Sequence, residues 1–166
     1  MATVLIVCTG NLCRSPMAAV LLKSRLLGDR ARQHWDVWSA GTWASEGRPA
    51  SDYAIEEMAA RGLDLMAHRS QPVTLQLVAR SDLILGAAQE HVETLAGRFP
   101  RYASKIWLLS AMADECYDIP DPYGSTRAEY AGVAAELESL IAAGYQRIVS
   151  LAEEGGLFAH RRPSLT

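Results

Sequence analysis

Cysteine is scarce in this chain of 166 residues: there are three, and two of them lie close together at Cys8 and Cys13. A disulfide framework needs an even, spaced set, so none is expected, and a reducing cytoplasm is the default compartment. Long apolar runs are missing as well. None approaches the roughly 18 residues of a transmembrane helix, so no membrane association is expected. Charge of one sign is also lacking. Sixteen Lys and Arg against nineteen Asp and Glu give a formal net charge of −3, which provides no basic face for nucleic acid. The four histidines, His34, His68, His91 and His160, show no ligand spacing, so no metal or other cofactor is expected. The first residues lack a basic n-region and read as a strand rather than a signal peptide. There are no repeats, low-complexity tracts or linkers. With 49% apolar and 21% charged residues, the chain has an ordinary globular composition. One domain over residues 1–166 is expected, with a core over about 1–153 and a loosely ordered tail over about 154–166.

The segments that remain alternate. Residues 3–7 are apolar and rich in β-branched side chains, which suits a buried parallel strand. Ser15-Pro16 reads as a helix start, because serine caps and proline fits the first turn. That helix runs to Leu27, where Gly28 ends it. Strands are read at 35–40, 81–86 and 105–109. Helices are read at 51–61, 73–79, 89–96 and 125–152, with glycines stopping the first and third and Gly144 interrupting the last. Residues 111–124 form a long loop. Four strand–helix alternations imply βαβ units and a doubly wound parallel sheet with helices on both faces. Ligands of such sheets gather at the carboxyl ends of the strands, and residues 8–15 fall there.

That segment reads Cys8-Thr9-Gly10-Asn11-Leu12-Cys13-Arg14-Ser15, with five residues between Cys8 and Arg14. A loop between a strand and a helix N-terminus can turn its N–H groups inward as an anion nest, and the helix dipole adds to it. Gly10 and Asn11 are the residues best suited to positive φ in a tight ring. Arg14 carries a fork that holds two phosphate oxygens at once. A cysteine in that field is favoured as thiolate and can attack phosphorus. Ser15 can donate its hydroxyl to the sulfur as it leaves. The spacing of Cys8 and Arg14 alone is weak, and the strand before and the Ser-Pro helix start after sharpen it. The bland alternative is a structural loop around an inert Cys8.

A second loop can supply a general acid. Residues 114–124 follow the fourth strand and hold Asp114, Glu115, Asp118 and Asp121. The first three read as a solvated run. Asp121 differs because Pro122 restricts its backbone. Cys13 lies near one end of the phosphate loop and Cys8 near the other. An oxidised Cys8 could therefore be trapped as a reducible disulfide, which makes Cys13 a candidate redox partner. The alternative is that Cys13 only fills space.

Taken together, Cys8–Pro16, Ser39-Ala40-Gly41-Thr42, His68-Arg69-Ser70 and Asp121-Pro122-Tyr123-Gly124 resemble, in order and over nearly the whole chain, the low-molecular-weight protein tyrosine phosphatases. The resemblance implies a flavodoxin-like four-stranded sheet. It implies a protein-tyrosine-phosphatase with a cysteinyl-phosphate intermediate, in which Cys8, Arg14 and Asp121 are catalytic and residues 9–15 bind phosphate or a similar oxyanion. It also implies a supporting network of Asn11, Ser15, Ser39 and His68. Leu12, Trp43 and Tyr123 are candidate pocket walls, although Trp43 reads equally as plain packing. The implied partner is a phosphotyrosine-containing protein, such as a bacterial tyrosine kinase. Departures are Gly86-Ala87, where the family has Val-Met or Ala-Met, and a single tyrosine after the Asp-Pro. Two rivals share the scaffold. Phosphoarginine phosphatases place threonine where this chain has Leu12, whose apolar side chain better suits a phenyl ring. Arsenate reductases need further cysteines, and only Cys116 lies outside the loop. A non-catalytic phosphate-binding module would lack nucleophile or acid.

Overall fold

The computed structural model describes residues 1–160. Four strands, β1 (Thr3–Cys8), β2 (Asp36–Gly41), β3 (Leu83–Gly86) and β4 (Ile106–Leu108), form one parallel sheet in the order β2-β1-β3-β4. The chain steps outward from β1 to β2 and then crosses back to β3. The strand order therefore reverses beside β1, and the crevice at that switch point is where such sheets bind ligands. This is the flavodoxin-like α/β architecture expected from the sequence.

β1 is apolar on both sides because it is covered on both sides. Val4 and Ile6 enter the larger core, while Leu5 and Val7 enter the smaller. The larger core is completed by α1 (Arg14–Leu27), α2 (Asp52–Ala59) and α5 (Arg127–His160), through Met17, Leu22, Met58, Leu137 and Ile148. On the other face, α3 (Leu75–Arg80) and α4 (Gln89–Arg98) contribute Val78 and Leu95.

Four expectations about helix ends fail. α1 begins at Arg14 with Cys13 as its N-cap, so Ser15 does not cap it; its hydroxyl lies against Cys8 and Asn11 instead. Gly97 does not stop α4, which runs through it to Arg98. The position is exposed and open, so glycine is tolerated there, and the following Phe99-Pro100 supplies the break. Gly144 does not interrupt α5. A Cβ there would lie 2.6 Å from the Met112 Cβ, so the glycine lets α5 sit directly on the 3-10 turn Leu109–Ala113. The last helix was expected to end at 152 and give way to a loose tail. It continues to His160, and Gly155 lies so close to Asp82 that a Cβ would fall 2.1 Å from its carbonyl oxygen. Residues 161–166 of the expected tail lie outside the described residues. Among those described, no helix is long and apolar enough to cross a membrane.

Candidate active site

The loop between β1 and α1 turns on Asn11, the one residue in it with positive φ (57°). Its side chain is fully buried and fully used. Nδ2 donates to Ser15 Oγ and to Ser39 Oγ, both at 2.9 Å, and Oδ1 accepts from the Gln71 N–H at 3.0 Å. Its carbonyl accepts from His68 Nε2 at 2.8 Å, which places the His68 proton on that nitrogen. Burial pushes the His68 pKa down, and the bond to Asn11 opposes that push. The structure thus brings Asn11, Ser15, Ser39 and His68 together and adds Gln71, which the sequence reading passed over.

Gly10 was expected to share the positive φ, and it does not. Asparagine alone makes the left-handed turn, held there by its own hydrogen bonds. The glycine that the loop itself requires is Gly41. A Cβ there would come within 2.3 Å of Thr9 O and 3.1 Å of Asn11 N. The segment after β2 is therefore the backing of the loop: Thr42 N–H donates to Cys8 O at 2.9 Å and Trp43 N–H to Thr9 O at 3.0 Å.

Cys8 Sγ lies 3.0 Å from Ser15 Oγ. Ser15 Oγ accepts from Asn11, and its one hydrogen is shared between the sulfur and the more distant Ala40 O at 3.4 Å. Arg14 is 5% exposed. Its Nη1 donates to Ile119 O at 3.0 Å, and its Nη2 lies 3.5 Å from Thr9 Oγ1 and 3.4 Å from Asp121 Oδ2. Its Nε is buried and has no hydrogen-bond partner among the described residues. Buried N–H groups are nearly always paired, so this one points to a ligand. Nε–H and Nη2–H form the fork that grips two oxygens of an oxyanion. Cys8, Arg14, Leu12, Asp121 and Tyr123 all line one cleft of about 210 Å³.

Of the four carboxylates in the second loop, only Asp121 lines this cleft. It is half exposed, and its Oδ1 accepts from the Tyr123 N–H at 3.1 Å, a local turn that steadies it. Asp118 is not merely solvated: it accepts from Gln89 N–H at 2.8 Å, at the start of α4. Asp114 pairs with Arg147. The loop is pinned at Ile119, whose N–H donates to Ala87 O at 3.0 Å while its carbonyl accepts from Arg14 Nη1.

Cys13 is buried, with its Sγ 3.1 Å from Ser51 Oγ and 3.2 Å from the Tyr130 hydroxyl. Burial pushes its thiol pKa up, against the pull of those two hydroxyls. The wall expected at Trp43 is not there: its side chain is 86% exposed and does not line the cleft. The two backbone bonds that tie Thr42 and Trp43 to the loop use the main chain and leave the ring in solvent. Arg48, which no motif singled out, lines the cleft instead. His91 is also a newcomer. It is 1% exposed and lies behind Thr9, with Nε2 2.9 Å from Thr9 Oγ1. No group of three or more His, Cys, Asp or Glu side chains among the described residues is arranged to hold a metal ion.

The comparisons with known proteins agree with this geometry. The family model described as low molecular weight phosphotyrosine protein phosphatase matches residues 3–153. The probable low molecular weight protein-tyrosine-phosphatase EpsP of Ralstonia solanacearum is 38% identical over 90% of this chain and 97% of its own. The protein-arginine-phosphatase of Bacillus subtilis is 35% identical over 83% of this chain and 91% of its own. Among solved structures, Vibrio vulnificus Wzb in complex with benzylphosphonate superposes with a TM-score of 0.78 at 30% identity, covering 88% of this chain and 98% of that one. With a match over nearly its whole length and the phosphate-loop segment at its switch point, the chain belongs to the low molecular weight phosphotyrosine protein phosphatase family.

Proposed function

We propose that this phosphatase hydrolyses phosphotyrosine on proteins in the cytoplasm through a cysteinyl-phosphate intermediate. The observation that carries the reading is the partnerless, buried Nε of Arg14, set in the same cleft as Cys8 and Asp121. The loop N–H groups and the Arg14 fork bind the phosphate. The Cys8 thiolate attacks phosphorus in line, the bond to the phenolic oxygen breaks, and Asp121 gives that oxygen its proton. Water then attacks the cysteinyl phosphate and surrenders a proton to Asp121. The P–S bond breaks with its electron pair returning to Cys8, where the Ser15 hydroxyl steadies the thiolate. Arg14 acts throughout by holding charge that spreads over the equatorial oxygens.

The choice between phosphotyrosine and phosphoarginine rests on Leu12. Relatives named for each activity stand at nearly equal identity, 38% and 35%. Leu12 lines the cleft with an apolar side chain and Tyr123 stands at the same cleft, which favours a phenyl ring over a guanidinium. The expected protein substrate is a tyrosine-phosphorylated partner such as a bacterial tyrosine kinase. Arsenate reduction is disfavoured because Cys116, the one cysteine outside the loop, is exposed and has no second cysteine to relay to.

The test is turnover of phosphotyrosine, phosphoarginine and phosphoserine peptides side by side, with thiol-dependent arsenate turnover in parallel. Phosphotyrosine is expected to be fastest. A preference for phosphoarginine, or arsenate reduction outrunning ester hydrolysis, would overturn the reading.

A further inference from the structure

We propose that His91 is a positioning residue for this reaction: it fixes the Thr9 hydroxyl, and through it the Arg14 fork. The proposal rests on the reading of Cys8–Arg14 as a phosphate site and adds a residue outside the loop to its machinery.

The argument begins at the start of α4. Ala88 N–H donates to His91 Nδ1 at 3.0 Å. A nitrogen that accepts carries no hydrogen, so the neutral ring must carry its proton on Nε2. Nε2 then donates to Thr9 Oγ1 at 2.9 Å. The nearest competing acceptor, Glu90 Oε1, is 3.6 Å away on a side chain that is 72% exposed. One backbone N–H thus selects the tautomer, and the tautomer sets the direction of the bond to Thr9.

A hydroxyl has two acceptor positions and one hydrogen. At Thr9 Oγ1 the first acceptor position is filled by His91. The second faces Arg14 Nη2, at a long 3.5 Å. The hydrogen is left for the cleft that Thr9 lines, where a phosphate oxygen accepts it. If His91 took the other tautomer, Thr9 would donate to it, and its hydrogen would be turned away from the cleft. Arg14 meanwhile is held at two corners, Nη1 by Ile119 O and Nη2 by Thr9 Oγ1 together with the half-exposed Asp121 carboxylate at 3.4 Å, and these leave Nε facing its ligand. The sequence makes room for this arrangement. A Cβ at Gly86 would come within 3.1 Å of the His91 Cβ and of Val92 Cγ2, so the Gly86-Ala87 departure lets α4 sit close against the end of β3.

The test exploits two partial mimics of histidine. His91→Asn can accept from Ala88 N–H in place of Nδ1 but cannot reach Thr9. His91→Gln can reach Thr9 in place of Nε2 but gives up the Ala88 bond. The loss of one neutral hydrogen bond predicts a kcat for a phosphotyrosine peptide about five- to tenfold lower in His91→Asn, with a Tm near wild type. His91→Gln should keep most of kcat while melting lower. Thr9→Val should lose at least as much as His91→Asn, and combining the two should cost no more than Thr9→Val alone. A merely structural histidine would reverse the ranking, with Gln the worse variant, and would give additive losses; either result overturns the proposal. Two readouts need no turnover and so separate this proposal from the proposed activity. Ring ¹⁵N shifts of the wild type should report the Nε2–H tautomer, and inorganic phosphate should bind more weakly to His91→Asn than to wild type. A proton on Nδ1, or unchanged phosphate affinity, would overturn the proposal even in a fully active enzyme.

Discussion

The two loops that meet in the cleft are built in opposite ways. In the phosphate loop, residues 11–15 are all buried, and the polar atoms of Asn11 and Ser15 are tied to one another and to neighbouring strands and loops. In the acid loop, residues 114–116 and 118 are exposed, and the chain is fastened at a few points: Ser110 grips both backbone groups of Tyr117, Asp118 holds Gln89, and Ile119 is pinned between Ala87 and Arg14. The difference follows from what each must do. A site that receives a dianion gains most when its dipoles are already aimed and need not reorganise. A general acid must exchange its proton with water between turnovers, and a half-exposed carboxyl on an open loop can do so.

The strongest way to break this comparison is Cys8→Ser. Turnover should fall by about 10⁴-fold or more while phosphate still binds; residual activity within about tenfold of wild type would sink the covalent mechanism. Asp121→Asn probes the other loop. It should slow phosphotyrosine turnover by about 10²–10⁴-fold, and esters with better leaving groups should suffer less. Asp118→Asn serves as its control. Asparagine keeps an oxygen that can accept from the Gln89 N–H at the start of α4, so this change should leave the chemical step alone; the opposite ranking would mean that the wrong carboxylate has been chosen.

A third prediction concerns stability and pH. Burial, chiefly, and the Arg14 charge push the His91 pKa down to about 4, with Asp118 and Asp121 opposing them; Glu90 is the other charged group near its ring. Above pH ~6.5 the ring is neutral folded and unfolded, so it contributes no pH dependence. As the pH falls from there to about 4, the unfolded chain takes up a proton that the folded one refuses. Stability is then lost by up to about 3 kcal/mol. Chemical denaturation at pH 7 and 4.5 should show this loss in wild type and a smaller one in His91→Gln. Equal losses would mean that other groups carry the acid sensitivity.

Smaller effects sharpen the contrast within the phosphate loop. Leu12→Thr should lower the phosphotyrosine to phosphoarginine rate ratio by about tenfold, on the order of 1.4 kcal/mol of discrimination; an unchanged ratio would remove Leu12 from specificity. Cys13→Ser should recover severalfold less activity than wild type after brief peroxide and then dithiothreitol, if Cys13 traps oxidised Cys8 as a reducible disulfide. Equal recovery would leave Cys13 as packing against Ser51 and Tyr130.

Much of this was legible because the phosphate loop is local. Strand β1, the turn at Asn11 and helix α1 follow one another within a short stretch, and the residue types there announce the order of elements, though Gly10 and Ser15 do not play the backbone parts expected of them. Asp121 was legible for the same reason, through Pro122. What escaped depends on neighbours distant in sequence. Gly41 and Gly144 read as ordinary glycines, and only the Thr9 carbonyl and Met112 explain them. His91 carries no motif, and its place behind Thr9 comes from the closeness of α4 to β3. Trp43 was a candidate wall only through the family resemblance, with packing as the equal alternative; its ring is exposed, and at that turn the main chain meets the loop.

The contact between Cys13 and Tyr130 has a consequence for how the enzyme is made. The loop that holds Cys8 is completed by residues far along the chain: Ile119, 105 positions beyond Arg14, and Tyr130, 117 positions beyond Cys13. At about 5–20 residues per second, roughly 6–23 s of translation separate the two ends of that contact. During that interval Cys8 and Cys13 lie on an unfinished chain, without the burial that the complete fold gives both. A stall or truncation before residue 130 would therefore release a chain that carries the reactive cysteine without the helix that encloses its neighbour.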